Sequence, residues 1–213
     1  MAENEIHLWL APLGIGAAKI AAIGNLLQPD ESERAARFRF PEHREHFTAA
    51  RGILRSILGL HLGCPPESIR FAYGEHGKPS LAQPAGTHME FNLSHSGGFA
   101  IYAVVLGRQV GVDLERIKAE GSWMEIARQY FAATEAAELE ALAEEAMRNR
   151  FFELWSAKEA CQKALGMGLR FPLDKNSHPA LTVINLDTVP GYSAALAFEA
   201  GDQPAIIKRL FTA

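Results

Sequence analysis

The segment GVDLERI, Gly111 to Ile117, alternates apolar and acidic side chains. On a β-strand this puts Asp113 and Glu115 on one face and Val112 and Leu114 on the other. Two adjacent carboxylates repel each other, so the pair suits either a solvated strand edge or a site that holds a cation. A third acid stands in LWSAKEACQKAL, Leu154 to Leu165. At 100° per residue this segment reads as an amphipathic helix, with Phe151, Leu154, Trp155, Cys161 and Leu165 on one stripe. Lys158 falls within the stripe, and Glu159 lies at its edge beside Lys163. A charge in that stripe is costly to bury unless it is paired or employed. Asp113, Glu115 and Glu159 together would offer three hard oxygen ligands to Mg2+, with further positions for water and substrate phosphate. Neither a cysteine cluster nor a histidine pair stands at zinc spacing.

Other residues are suited to anions. In FNLSHSGG, Phe91 to Gly98, a strand over Met89–Leu93 runs into a loop over Ser94–Gly98, whose hydroxyls, His95 and backbone N–H groups could face a phosphate or serve a structural turn. A Ser-His hydrolase would need a GxSxG elbow and a further acid, and neither is present. Between Arg34 and Arg55 there are six arginines against two acids. Arg51 and Arg55 are spaced i, i+4 on one helix face, which fits a solvated face or a dock for phosphate and carboxylate groups. Lys78, in a GKP turn, suits the same purpose.

These groups need elements to position them. Strands are expected at Ile6–Leu10, Ile69–Tyr73, Met89–Leu93, Phe99–Leu106, Val110–Ile117, Leu181–Leu186, Ala194–Phe198 and Ala205–Leu210. Helices are expected at Asp30–Phe38, at Glu42–Leu62, from an N-cap at Thr134 through Met147, and at Phe151–Gly166, with Gly63 and Gly166 as stops. The order is α+β rather than alternating βαβ. At 213 residues the chain suits one large domain or two of about 100 residues each. A formal net charge of −4 argues against nucleic acid as a partner. No signal peptide or membrane span is read in the chain. Two cysteines, Cys64 and Cys161, make no disulfide framework, so a reduced, cytoplasmic protein is the simplest expectation.

Taken together and in this order, the motifs resemble those of the 4'-phosphopantetheinyl transferases of the Sfp type. GVDLERI is similar to the family's G-[VI]-D-x-E, and FFELWSAKEACQKALGMGL to its F-x-x-x-W-x-x-K-E-[AS]-x-x-K-x-x-G-x-G-L. FNLSHSGG resembles N-x-S-H-S, GKP the family turn, and AARGILRSIL the arginine helix; the match runs from about Trp9 to about Asp174. The resemblance implies two similar α+β halves related by a pseudo-two-fold axis, 1–107 and 108–213, with coenzyme A in the cleft between them. It implies Mg2+ ligands at Asp113, Glu115 and Glu159, and a pyrophosphate contact at Lys163. It further implies coenzyme contacts at Arg34, Arg51, Lys78, Ser94 and His95, and a structural or pyrophosphate-directed Lys158. The implied reaction moves the phosphopantetheine arm of coenzyme A to a serine of an apo acyl or peptidyl carrier protein and releases 3',5'-ADP. Glu159, Lys163 and Asp113 would carry the chemistry, in a monomer that needs neither nucleic acid nor membrane. A different Mg2+-dependent enzyme acting on a diphosphate, or a non-catalytic binder of coenzyme A or carrier, are the other classes open. Walker A and kinase motifs are missing, which disfavours the first.

Overall fold

The computed structural model describes residues 1–2, 4–167 and 180–212. Strand β1 (Glu5–Pro12) is followed by helices α1 (Ala17–Gly24), α2 (Pro29–Ala36) and α3 (Pro41–Leu62), then strands β2 (Arg70–Tyr73), β3 (Pro79–Gln83), β4 (Met89–Ser96) and β5 (Phe99–Leu106). The second half opens with β6 (Val110–Arg116) and continues through α4 (Trp123–Tyr130), α5 (Ala133–Glu140) and α6 (Glu144–Leu165) to β7 (Leu181–Asn185), β8 (Tyr192–Glu199) and β9 (Ala205–Leu210). One sheet has the order β4-β5-β1-β9 and another β6-β8-β7, while β2 and β3 form a separate hairpin. The expected division at 107/108 falls in the turn between β5 and β6. The chain crosses back once more at its end, because β9 runs parallel to β1 in the first sheet.

Period-two alternation explains the layers. Ile101, Ala103 and Val105 of β5 and Ile6 and Leu8 of β1 pack against Val110, Val112 and Leu114 of β6 and Ala194, Leu196 and Phe198 of β8. The opposite face of the first sheet, including Trp9, Tyr102 and Val104, is covered by α3 through Ile53, Leu54, Ile57 and Leu58. The opposite face of the second is covered by α6, whose Ala157, Ala160 and Ala164 meet Ala195 and Ala197. Each of the two sheets thus carries a 22-residue helix on its outer side.

The likeness of the halves extends to one detail. In the first, Glu31 of α2 accepts the Gln28 N–H at the start of its own helix and holds Arg51 and Arg55 of α3. In the second, Glu135 of α5 accepts the Ala132 N–H and holds Lys158 of α6. Each acid caps a short helix and bolts it to the long one, and Arg55 and Lys158 stand at the same position along their helices.

Several boundaries differ from expectation. Thr134 is not an N-cap: α5 starts at Ala133, and Glu135 supplies the capping carboxylate. One helix was expected to run through Met147 and another to begin at Phe151; instead α5 ends at Glu140 and α6 begins at Glu144. Helices α1 and α4 and strand β3 were not expected from the sequence. The loop expected over Ser94–Gly98 is strand as far as Ser96, since Gly97 and Gly98 alone turn the chain, pairing Ser96 with Phe99. Gly97, at φ +56°, takes the left-handed conformation that such a tight turn requires. No described helix is long and apolar enough to cross a membrane.

Gly111 sets how closely α6 approaches β6. A Cβ at this position would strike the Ala160 carbonyl and the Ala164 amide, both helix backbone that cannot move aside alone. Gly111→Ala is therefore expected to cost about 1–3 kcal/mol or more through overpacking, read as a lower urea midpoint. An unchanged midpoint would show that the helix can lift without loss.

Candidate active site

Because α6 lies directly on β6, Glu159 and Lys163, one helical turn apart, come down beside Asp113 and Glu115. One ligand oxygen from each of Asp113, Glu115 and Glu159 lies within 4.8 Å of the others. Asp113 is fully buried, at 0% exposure. Its Oδ1 accepts hydrogen bonds from Lys163 Nζ at 2.5 Å and Ser94 Oγ at 2.9 Å. Lys163 also donates to Ser94 Oγ at 2.8 Å and lies 3.8 Å from Glu159. Asp113 Oδ2, enclosed as well, has no hydrogen-bond partner among the described residues. An orphaned buried carboxylate oxygen with two further carboxylates beside it fits a hard divalent cation, which prefers an all-oxygen donor set.

The electrostatics agree with that fit. Burial pushes the Glu159 carboxyl up to about 7, with Asp113 and Glu115 adding to the rise and Lys163 opposing it. Glu115 is also raised, by burial and by Asp113, while the Ser96 hydroxyl and Lys163 pull the other way. Three acids crowded into a low-dielectric site hold an unfavourable concentration of negative charge, which a cation would relieve.

Strand β4 contributes side chains from both of its faces. Asn92, Ser94 and Ser96 face the neighbouring edge of β6: Asn92 Oδ1 accepts the Val112 N–H at 3.0 Å, Ser94 binds Asp113, and Ser96 Oγ donates to Glu115 Oε2 at 2.9 Å. His95 projects on the alternate face. Desolvation against the wall, and then the positive charges of Lys163, His46 and Arg34, hold its imidazole below the ordinary range.

Beside this cluster lies a cavity of about 640 Å³ lined from both halves, with Arg34, Arg51, Lys78, Ser94, His95, Glu159 and Lys163 on its walls. Phe38 and Phe47 form an aromatic side, with the Arg34 guanidinium 5.3 Å from the Phe47 ring centre. A volume of that order suits a ligand the size of a nucleotide cofactor.

Besides Ser94, two of the expected cationic coenzyme contacts, Arg51 and Lys78, already have hydrogen-bond partners in the protein. Arg51 Nε donates to Glu31 Oε1 at 2.8 Å and its Nη2 to the Tyr73 hydroxyl at 2.6 Å. Lys78 Nζ donates to the Ala164 carbonyl at 2.6 Å, capping the C-terminus of α6, and burial lowers its pKa. Lys158 does not line the cavity. It is buried at 1% exposure, 2.7 Å from Glu135 Oε2 and 5.0 Å from the centre of the Phe131 ring. Its place within the apolar stripe is explained by α5, which brings a carboxylate to it.

The roles of Asn92, Glu31 and Glu135 escaped the sequence reading, and the Ser96 hydroxyl, read as suited to a phosphate, meets the Glu115 carboxylate instead. A polar residue at every second position, Asn92-x-Ser94-x-Ser96, is a strand-face signal that the Gly-Gly turn disguises as loop. Glu31 and Glu135 resemble ordinary helix-start acids until their cationic partners are seen.

The sequence has relatives among known proteins. Residues 109–209 match the family model of the 4'-phosphopantetheinyl transferase superfamily, and residues 16–106 match the model described as 4'-phosphopantetheinyl transferase, N-terminal. The chain is 42% identical over 168 residues to 4'-phosphopantetheinyl transferase HetI of Nostoc sp., covering 78% of this chain and 71% of that protein. It is 29% identical over 196 residues to 4'-phosphopantetheinyl transferase Sfp of Bacillus subtilis, covering 84% and 85%. It is 28% identical over 186 residues to the human L-aminoadipate-semialdehyde dehydrogenase-phosphopantetheinyl transferase, covering 83% and 60%. The chain belongs to the 4'-phosphopantetheinyl transferase superfamily and is an enzyme of that class.

The Lys158–Glu135 pair has a measurable consequence. Lys158→Met leaves a buried carboxylate uncompensated and is expected to destabilise the protein by about 3–5 kcal/mol. Adding Glu135→Gln, which keeps an acceptor for the Ala132 N–H, should recover most of that loss in a denaturant titration. A double variant as unstable as the single one would refute the pairing as the cause.

Proposed function

We propose that this enzyme transfers the 4'-phosphopantetheine arm of coenzyme A to a serine of an apo acyl or peptidyl carrier protein, with Mg2+, and releases 3',5'-ADP. One observation carries the reading. A single cavity between the halves 1–107 and 108–213 has cationic walls and reaches the carboxylate cluster through Glu159. Membership of the family supports it.

Asp113, Glu115 and Glu159 would hold Mg2+, which when bound supplies charge neutralisation of the coenzyme pyrophosphate. The chain's own groups do the rest. Lys163, tethered by Asp113 and Ser94, would meet the pyrophosphate, and Arg34 and His95 the nucleotide phosphates. Ser94 contributes through Asp113 and Lys163. Arg51 and Lys78, held by Glu31 and by the end of α6, form rigid walls of the coenzyme site rather than freely swinging cations. Lys158 acts by fixing α6 against α5. The carrier serine Oγ attacks the β-phosphorus, the bond from that phosphorus to the ADP oxygen breaks, and the electron pair leaves with 3',5'-ADP. The serine proton passes to Glu159. Such a displacement depends mainly on positioning and charge.

Carrier proteins of acidic surface would meet the exposed Arg44 and the half-buried Met167, which follows Gly166 of the cavity wall; Leu169, a further docking candidate, lies outside the described residues. Both halves of the site come from one chain, so a monomer suffices, and a reduced cytoplasmic setting suits the two free cysteines.

Incubating the protein with coenzyme A, Mg2+ and an apo carrier should raise the carrier's intact mass by one phosphopantetheine arm, and EDTA should abolish the gain. No mass gain on any acyl or peptidyl carrier would overturn the reading. Glu159→Gln is expected to lower kcat by about 10²-fold or more while coenzyme A binding persists. Turnover at the unmodified rate would remove Glu159 from its role.

A further inference from the structure

Glu115 is the member of the carboxylate cluster with no ion pair within 4 Å among the described residues, in contrast to Asp113 and Glu159, which share Lys163. What holds it is a hydroxyl from the other half of the molecule. Ser96 Oγ, at the end of β4, lies 2.9 Å from Glu115 Oε2 and accepts the Arg116 backbone N–H at 3.1 Å. A serine hydroxyl has one proton to give. With the Arg116 N–H occupying the acceptor side, that proton is directed at Glu115.

Ser96 is itself held in place. The Gly97–Gly98 turn that follows is fastened to β8, since the Gly98 N–H donates to the Tyr192 hydroxyl at 3.2 Å and the Tyr192 ring packs on Phe99 at 5.4 Å. A Cβ on Gly97 would strike the same Tyr192 hydroxyl. Ser193, next in β8, pairs in register with Glu115. The hydroxyl and the carboxylate are therefore fixed to one frame from two sides. Unlike Ser94, Ser96 does not line the coenzyme cavity, so it can influence the site only through the groups it touches.

We propose that Ser96 is a positioning residue for the cation site, its hydroxyl holding the Glu115 carboxylate in the orientation in which it binds the ion. The inference rests on the reading of Asp113, Glu115 and Glu159 as a divalent-cation site. It makes the site a joint product of both halves: β6 and α6 supply the ligands, and the edge of β4 aims two of them through Ser94 and Ser96.

Mn2+ binding to the full chain, followed by electron paramagnetic resonance without substrate, tests this independently of turnover. Ser96→Ala is expected to weaken Mn2+ by about tenfold, the lower end of what loss of a ligand-orienting partner costs. Ser96→Thr, which keeps the hydroxyl, should bind Mn2+ more tightly than Ser96→Ala. Coenzyme A affinity measured without divalent ion should be the same in all three proteins. In a Glu115→Gln background, Ser96→Ala should add no further loss of Mn2+ affinity. Unchanged Mn2+ affinity in Ser96→Ala, equal losses of Mn2+ and coenzyme A affinity, or a full further loss in the Glu115→Gln background would each overturn the assignment. Should the unmodified chain and Asp113→Asn both fail to bind Mn2+, the cation reading falls and this inference with it. Normal Mn2+ binding by the unmodified chain together with an unaffected Ser96→Ala removes the role of Ser96 alone.

Discussion

One buried carboxylate ties the molecule together. Asp113 comes from β6, Lys163 from α6 and Ser94 from β4, and all three meet around a single oxygen. Removing a carboxylate from water carries a desolvation penalty of several kcal/mol unless partners surround it. The negative charge of Asp113 is therefore tolerable only when the long helix lies on the second sheet and the edge of the first sheet lies beside β6. Docking of the halves and assembly of the site are therefore energetically coupled. Asp113 is incompletely satisfied, with one oxygen bound and the other without a partner among the described residues, a condition that fits a further cation beside it.

Close approach is the second requirement, and it is met by absence of side chain. Alanines along α6 face alanines on β8, and Gly111 offers no Cβ to the helix backbone. A larger residue would lift Glu159 and Lys163 away from Asp113. The buried pairs Glu31–Arg51–Arg55 and Glu135–Lys158 complement this packing by bolting a short capped helix to each long one. Charges that look like candidates for substrate in a linear reading have protein partners: Lys158 meets Glu135, and Arg51 and Lys78 are held at the cavity wall by Glu31 and the Ala164 carbonyl. Rigid cations lose less freedom on meeting a phosphate than mobile ones do.

Much of this was legible from residue types and spacing. Alternation in GVDLERI placed Asp113 and Glu115 on one face, and helical periodicity placed Glu159 beside Lys163, because both patterns follow from local backbone geometry. The α+β order and the glycine stops at Gly63 and Gly166 were read for the same reason, and both glycines sit in the left-handed conformation. Ser94–Ser96 was misread as loop because serine, histidine and glycine are turn-formers by composition, and only pairing with β5 shows the segment to be strand. The partner of Lys158 was illegible because it lies on another helix, and nothing local distinguishes Glu135 from any acid in a first helical turn.

The sequence by itself determined which side chains carry chemistry, which face of its own element each occupies, and the family whose motifs they match. All of these depend on neighbours a few residues apart, where the 2.0 and 3.6 periodicities act. The tertiary structure decided which of the charged groups face one another. It brought β4 to the edge of β6 so that Ser94 and Ser96 could hold the two strand carboxylates, and it took Lys158 out of the cavity while leaving Lys163 in it. Those outcomes depend on how two sheets and two long helices pack. Packing is set by the summed burial of many apolar side chains together with the close fit at Gly111, and no single segment encodes it.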